Sequence, residues 1–194
     1  MGNTNNSVMI KTKQDMCFYI QEDRKRNGQD RGVLRYWFNL LRGNEQAHAF
    51  RYLKVLRHQE FHMNNKGIFH KIAAFYYGIR RGRLGLRYSI EIHPNTCGYG
   101  LRITHLSAGG VLLNVRKIGN YCGVNAGVLI GNNRGNENRP VIGDYVAFGP
   151  GSKAFGKIKI GNHVFIAPNA VVVKDVPDSV IVGGIPAKVL KLNN

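Results

Sequence analysis

The second half of this sequence repeats every six residues, a period that fits neither an α-helix nor a plain strand. Each unit supplies one apolar side chain, and Gly, Asn or Asp commonly follows it. The apolar positions are Ile118, Val124 and Ile130, then Ile142, Phe148, Ala154, Ile160, Ile166 and Val172. A unit this short buries its apolar residue only by stacking on the next unit. The repeat therefore predicts a parallel β-solenoid whose interior is filled by these side chains.

One gap in the repeat predicts a loop. Ile130 and Ile142 are 12 residues apart, although the positions on either side keep a spacing of six. The intervening segment 131–140 has no aliphatic or aromatic side chain to bury, so we expect it to project from the solenoid. Loops held on a rigid scaffold commonly carry function. We therefore predict that Arg134 and Arg139 bind substrate, with ordinary solvated loop charges as the alternative.

The first half has a different composition. Residues 1–90 hold 13 of the 19 aromatic residues but three Val, whereas residues 91–194 hold 14 Val. Leu34, Trp37, Phe38 and Leu41 follow the spacing of one helical face. We predict a helical N-terminal domain over residues 1–90, with three or four short helices, and a solenoid domain over residues 91–194.

Charge and cysteine content narrow the function classes. The chain has 28 Lys and Arg against 11 Asp and Glu, a formal net charge of +17. Such a field attracts polyanions or an anionic membrane surface, and peripheral membrane association is one reading. No nucleic-acid-binding motif is present, so we expect no nucleic-acid partner. Three Cys, odd in number, together with an N-terminus without an apolar stretch predict reduced thiols and a cytoplasmic location.

Three motifs carry a family resemblance: Ile-His-Pro at 92–94, Ile-Thr-His at 103–105, and Gly-Gly-Ile-Pro-Ala-Lys at 183–188. With the hexads between them, the second half resembles the hexapeptide-repeat acyltransferases, specifically the serine O-acetyltransferase-like branch. The resemblance implies an α+β chain in which helices precede a left-handed parallel β-helix. It also implies a homotrimer, with acetyl-CoA as cosubstrate in the groove between neighbouring solenoids. No metal is expected.

The chemistry that the resemblance implies is acyl transfer from a thioester to a hydroxyl. An alcohol needs a base to remove its proton during attack, and histidine suits that role because it titrates near neutral pH. His105 matches the position of the family's catalytic histidine. We therefore predict that His105 is the general base.

Two departures from the serine acetyltransferase pattern bear on the acceptor. Thr104 stands where the family usually has an acidic residue, and Arg139 stands where it has a second histidine before proline. Loss of a carboxylate removes a partner for a substrate ammonium, while arginine favours an anionic group. We therefore predict a hydroxyl of a cell-surface polysaccharide or its sugar precursor as acceptor, with Thr104, Arg134 and Arg139 as acceptor-binding residues. The alternatives are serine O-acetylation in cysteine biosynthesis and a non-catalytic trimeric scaffold.

Residues for the cosubstrate follow from the same resemblance. The family runs the pantetheine chain along solenoid corners that here contain Gly149, Pro150, Ala167 and Pro168. Candidates for the phosphates of CoA are Lys153, Lys174 and Lys188. The alternative is that Lys153 and Lys174 are ordinary exposed solenoid residues and that Lys188 only neutralises the C-terminal cap.

Overall fold

The computed structural model describes residues 9–132 and 135–193, and its first part is helical. Within that part four α-helices follow one another: α1 (Lys13–Arg26), α2 (Val33–Leu41), α3 (Glu45–Met63) and α4 (Ile68–Tyr88). Thr12 and Asp15 form a capping box at the start of α1, with the Thr12 hydroxyl 3.0 Å from the Asp15 nitrogen. The Asn44 side-chain oxygen caps α3 by accepting from the Ala47 nitrogen at 3.0 Å. Four helices agree with the prediction.

The remaining chain is built from short strands. Their bounds are β1 (Ile90–Ile92), β2 (Arg102–Ile103), β3 (Val111–Leu113), β4 (Lys117–Ile118), β5 (Gly123–Val124), β6 (Leu129–Gly131), β7 (Val141–Ile142), β8 (Ala147–Phe148), β9 (Lys153–Phe155), β10 (Lys159–Ile160), β11 (Phe165–Ile166), β12 (Val171–Val172), β13 (Val180–Gly183) and β14 (Lys188–Leu192).

These strands stack into a three-sided solenoid. In the described residues, β1, β3, β6, β9 and β12 form a first face, and β4, β7 and β10 form a second. The third face contains β2, β5, β8, β11 and β13 in parallel, and β14 closes it as an antiparallel strand. We call the turns from the third face to the first corner I, those from the first face to the second corner II, and those from the second to the third corner III.

The hexad side chains fill the interior, as the repeat predicts. All nine anchor residues are at most 3% exposed. Each stacks on its counterpart in the next coil: Val124 lies opposite Phe148, and Phe148 opposite Ile166. Ile130 is paired with Ala154 in the same manner on the first face. The spacing of six therefore arises because each face of the triangle contributes one buried side chain per coil.

The loop within the repeat lies at corner II. It connects β6, which ends at Gly131, to β7, which begins at Val141. The Arg116 nitrogen donates to the Pro140 oxygen at 2.9 Å, which returns the chain to the coil register. The extra residues therefore leave the stacking of the solenoid intact.

The helices are joined to the first coil by a buried ionic cluster. Arg57 of α3 is fully buried and forms ion pairs with Asp23 of α1 at 2.8 Å and with Glu60 at 3.0 Å. The same guanidinium donates to the backbone oxygens of Cys97 and Gly98, at 2.9 and 2.6 Å. One side chain thus ties two helices to the end of the solenoid.

The apolar face of α2 points outwards. Leu34, Trp37, Phe38 and Leu41 do share one face of the helix, but they are 55–87% exposed. The opposite side of α2 is the half-buried one, and there the Tyr36 ring packs edge-on against Phe50 of α3. The spacing therefore identified the helix, although not which side it buries.

Candidate active site at corner I

His105 lies at the turn between β2 and β3, the first turn of corner I. Its backbone has a left-handed conformation with φ of 60°, and its imidazole is exposed. A single 3₁₀ turn, Leu106–Ala108, follows it and widens this corner relative to the later coils. The Gly127 nitrogen donates to the Gly110 oxygen at 2.8 Å, which fixes the widened turn to the coil below.

A cavity of about 280 Å³ opens beside the imidazole on the third face. Part of its wall is a fixed chain of hydrogen bonds: the Thr104 hydroxyl donates to the Asn125 side-chain oxygen at 2.6 Å, and the Asn125 amide donates to the Phe148 oxygen at 2.7 Å. Thr104 thus positions Asn125, and its proton is already committed. The predicted residues Thr104 and His105 line the same cavity.

Two other members of this cavity were missed from the sequence. Arg26 comes from the end of α1, and Arg102 is the first residue of β2. Arg102 could have been found from the sequence, because it lies one residue before the buried Ile103 on a strand and must therefore point outwards. Arg26 could not, since its position depends on how α1 packs against the solenoid.

The predicted cosubstrate residues fall into two groups. Gly149, Pro150, Ala167 and Pro168 lie at corner I, in the coils stacked beyond His105, where the Asn169 nitrogen donates to the Pro150 oxygen at 2.9 Å. Pro150 and Pro168 are exposed along this edge, and Ala167 is half-buried. Gly149 has a packing reason for being glycine, because a Cβ there would lie 2.7 Å from the Pro168 nitrogen.

The three lysines are more dispersed. Lys153 begins β9, and its ammonium donates to the Gly151 oxygen at 3.1 Å. Lys174 is exposed at corner II, after β12, and Lys188 is exposed at the start of β14. These lysines therefore do not form one cluster within a single chain.

Arg139 lies on a different edge from His105. It immediately precedes Pro140 and β7, which places it at corner II. Arg134, the other arginine assigned to the acceptor, lies outside the described residues. Within one chain, the structure therefore brings Arg26 and Arg102 to His105 in place of Arg139.

The two cysteines of the solenoid, Cys97 and Cys122, are buried. Cys122 is buried at corner III, and burial raises the pKa of its thiol to about 12. Among residues 9–132 and 135–193, no group of three or more His, Cys, Asp or Glu side chains is arranged to hold a metal ion. No helix in that part of the chain combines the length and apolar character needed to cross a bilayer.

Comparison with known proteins places this geometry in context. Over 104 residues the chain is 36% identical to a serine acetyltransferase of Synechococcus elongatus and 38% identical to one of Mycobacterium tuberculosis. Each match covers 52% of this chain, and it covers 42% and 45% of the respective relatives. The chain therefore spans less than half the length of these relatives. No protein-family model matches the chain.

The fold extends the likeness beyond the repeat. The structure of serine acetyltransferase from Brucella abortus in complex with coenzyme A superposes with a TM-score of 0.70, covering 94% of this chain and 70% of that one at 21% identity. The chain resembles serine acetyltransferases. These comparisons confirm the resemblance to the serine O-acetyltransferase-like branch. They also confirm the predicted fold, in which helices precede a left-handed parallel β-helix.

The predicted polysaccharide acceptor is wrong. The curated relatives are serine acetyltransferases, which agrees with the alternative reading and not with polysaccharide acetylation. The prediction rested on Thr104 and Arg139. An arginine that favours an anionic group fits the carboxylate of serine as well as an anionic glycan, so these departures did not identify the acceptor.

Proposed function

We propose that this chain transfers an acetyl group from acetyl-CoA to the hydroxyl of L-serine, with His105 as the general base. The observation that carries the proposal is the exposed imidazole of His105 beside a small cavity, in a segment similar to serine acetyltransferases. The cavity volume of about 280 Å³ suits a small acceptor.

The residues support direct transfer. His105 accepts the hydroxyl proton as the serine oxygen attacks the thioester carbonyl, so that a C–O bond forms and the C–S bond breaks. The imidazolium then returns the proton to the leaving sulfur, which restores neutral His105. Asn125, oriented by Thr104 and by the Phe148 oxygen, presents a fixed amide to the same space. No covalent acyl-enzyme is required, and the buried Cys122 takes no part.

For the donor, we infer a path along corner I. Pro150, Ala167 and Pro168 supply short side chains at that edge, over which a pantetheine chain would lie in van der Waals contact. Lys174 and Lys188 are exposed, which leaves their ammonium groups available to phosphate. Lys153 is the weaker candidate, because it already donates to Gly151.

We also propose a homotrimer. Corners I and II are different edges of one solenoid, so a neighbouring chain is needed to bring an Arg139 towards His105. Light scattering should then give a mass of three times 21.7 kDa, about 65 kDa. A mass of about 22 kDa at assay concentration would rule out a contribution from a neighbouring chain.

The test of the activity is thiol release from acetyl-CoA with L-serine present. His105→Asn removes the base while keeping a residue that tolerates a left-handed backbone. His163→Asn is the matched control, because His163 is also an exposed histidine with positive φ, 54°, but stacks on Tyr145 at corner III. We expect His105→Asn to lower turnover roughly a hundredfold to ten-thousandfold and the control to leave it unchanged. Serine-dependent release that survives His105→Asn, or that is absent from the wild type, would contradict the proposal.

A further inference from the structure

Arg26 and Arg102 bring two positive charges to the cavity that contains His105. Both side chains are exposed, and no described residue forms an ion pair with either guanidinium. Arg26 makes one long hydrogen bond, 3.5 Å, to the Tyr121 oxygen. Two arginines without a carboxylate partner, facing a catalytic histidine, provide a place for an anionic group.

The backbone around these arginines is clamped by Asn27. This side chain is buried; its amide donates to the Leu101 oxygen at 2.8 Å, and its oxygen accepts from the Ile103 nitrogen at 3.3 Å. The two contacts lie on either side of Arg102, and Asn27 itself follows Arg26 in sequence. One buried amide therefore fixes the end of α1 against β2 and holds both arginines at the cavity rim.

The cavity provides recognition for a carboxylate and none for an ammonium. Its lining contains no acidic side chain: Arg26, Arg102, Thr104, His105, Gly123, Val124, Asn125 and Ala147. The surroundings add further positive charge. An adjoining cavity of about 510 Å³ shares both arginines, and its lining contains Lys25, Arg31 and Arg35 but one carboxylate, that of Asp30. An ammonium entering beside His105 would meet positive charge, whereas a carboxylate would meet two guanidinium groups.

We propose that Arg26 and Arg102 bind the carboxylate of the acceptor, and that the acceptor class is small hydroxy carboxylates with or without an amino group. This inference rests on the proposed function, since it assigns the acceptor hydroxyl to His105. It adds that serine is selected by its carboxylate and its hydroxyl. Glycerate, which has a hydroxyl in place of the amino group, is then an acceptor of similar quality, and L-serinamide, which lacks the carboxylate, is a poor one.

Calorimetry of the full chain with L-serine, glycerate and L-serinamide tests the binding site without requiring turnover. The variants are Arg102→Gln and Arg26→Gln, with Arg83→Gln on α4 as an exposed control away from the cavity. We expect each cavity variant to weaken binding of serine and glycerate roughly tenfold to a hundredfold, as loss of a charge-assisted hydrogen-bonded contact implies. Binding of serinamide should be weak in the wild type and should not change. The KM values for serine and glycerate should rise by similar factors, with smaller changes in kcat.

The outcomes separate the two proposals. Arg-dependent binding of serine and glycerate without thiol release supports the carboxylate site and overturns only the activity. Serine turnover with an unchanged KM in both arginine variants overturns the carboxylate site and leaves the activity standing. Glycerate that neither binds nor reacts, while serine does both, overturns the claim that the amino group is not required. Equal melting temperatures for all three variants exclude misfolding as the cause.

Discussion

Replacing Arg57 by Met tests how much the buried ionic cluster between the helices and the first coil contributes to stability. Among the described residues, Arg57 is the basic side chain that forms ion pairs with two fully buried carboxylates, Asp23 and Glu60. The second oxygen of each carboxylate accepts a backbone N–H, from Leu101 at 3.0 Å and from Asn95 at 2.8 Å. Met fills a similar volume, so the substitution mainly removes charge and hydrogen bonds. Two buried carboxylates then lose the ion pairs that the described part of the chain gives them.

Breaking a buried ion pair in this way costs about 3–5 kcal/mol, because the remaining charge is desolvated and unpaired. For a chain of this length that loss lowers the melting temperature by roughly 6–20 °C. It is a large fraction of the stability of a typical domain, about 5–15 kcal/mol. The first coil leads directly into Arg102 and His105, so activity should be lost over the same temperature range as the folded state.

The loss of unfolding free energy in Arg57→Met should depend on pH. Burial raises the pKa of both Asp23 and Glu60 above their ordinary values of 3.8 and 4.5, and the attraction of Arg57 offsets this in part. A raised pKa in the folded state means that stability falls as pH rises from the ordinary value through the raised one. Removing Arg57 raises both pKa values further. The deficit of the variant is therefore largest at neutral pH and shrinks as the pH is lowered and the carboxylates bind protons.

Urea unfolding followed by circular dichroism at several pH values measures this deficit. Arg83→Met is the matched control, because Arg83 is exposed on α4, and it should change the free energy of unfolding by less than about 0.5 kcal/mol. A deficit of Arg57→Met below about 1 kcal/mol, or one that is equal at pH 7 and pH 4, would refute the reasoning.

Three further results are expected. Cys17 is exposed, whereas burial raises the pKa of both the Cys97 and Cys122 thiols to about 12. A disulfide reagent at pH 8 should therefore label one thiol in the native chain and three after unfolding. Cys17→Ser should abolish labelling of the native chain. Gly119→Ala should lower the free energy of unfolding by about 1–3 kcal/mol, because its Cβ would lie 2.5 Å from the Gly143 oxygen of the next coil. In the control Gly123→Ala, the new Cβ meets nothing within 4 Å, so the change should be nearly neutral. Equal unfolding midpoints for the two variants would contradict this close approach of neighbouring coils. Gly123→Leu should fill the cavity beside His105, raising the KM for serine without lowering the melting temperature, and an unchanged KM would place the acceptor elsewhere.

The solenoid was predictable because its interior repeats one requirement. Every coil needs three buried apolar side chains and three tight turns, so the sequence shows the period directly in Ile142, Phe148 and Ala154 and their successors. The loop was predictable for the complementary reason, since segment 131–140 has no aliphatic or aromatic side chain. The helices were recognisable from their spacing, but the exposed face of α2 was not, because spacing gives the width of an apolar stripe and not its partner.

The acceptor residues were harder to predict because they meet only through long-range packing. Arg139 was predicted from its place in a motif, and within one chain it lies at corner II whereas His105 lies at corner I. Arg26 is 79 residues before His105, and it reaches the cavity because the buried Asn27 amide bonds to the backbone on both sides of Arg102. A polar residue at the end of an ordinary helix carries no local sign of such a contact. The specificity of the site therefore depends on the helical half of the chain, the half that lies outside the repeat by which the fold was recognised.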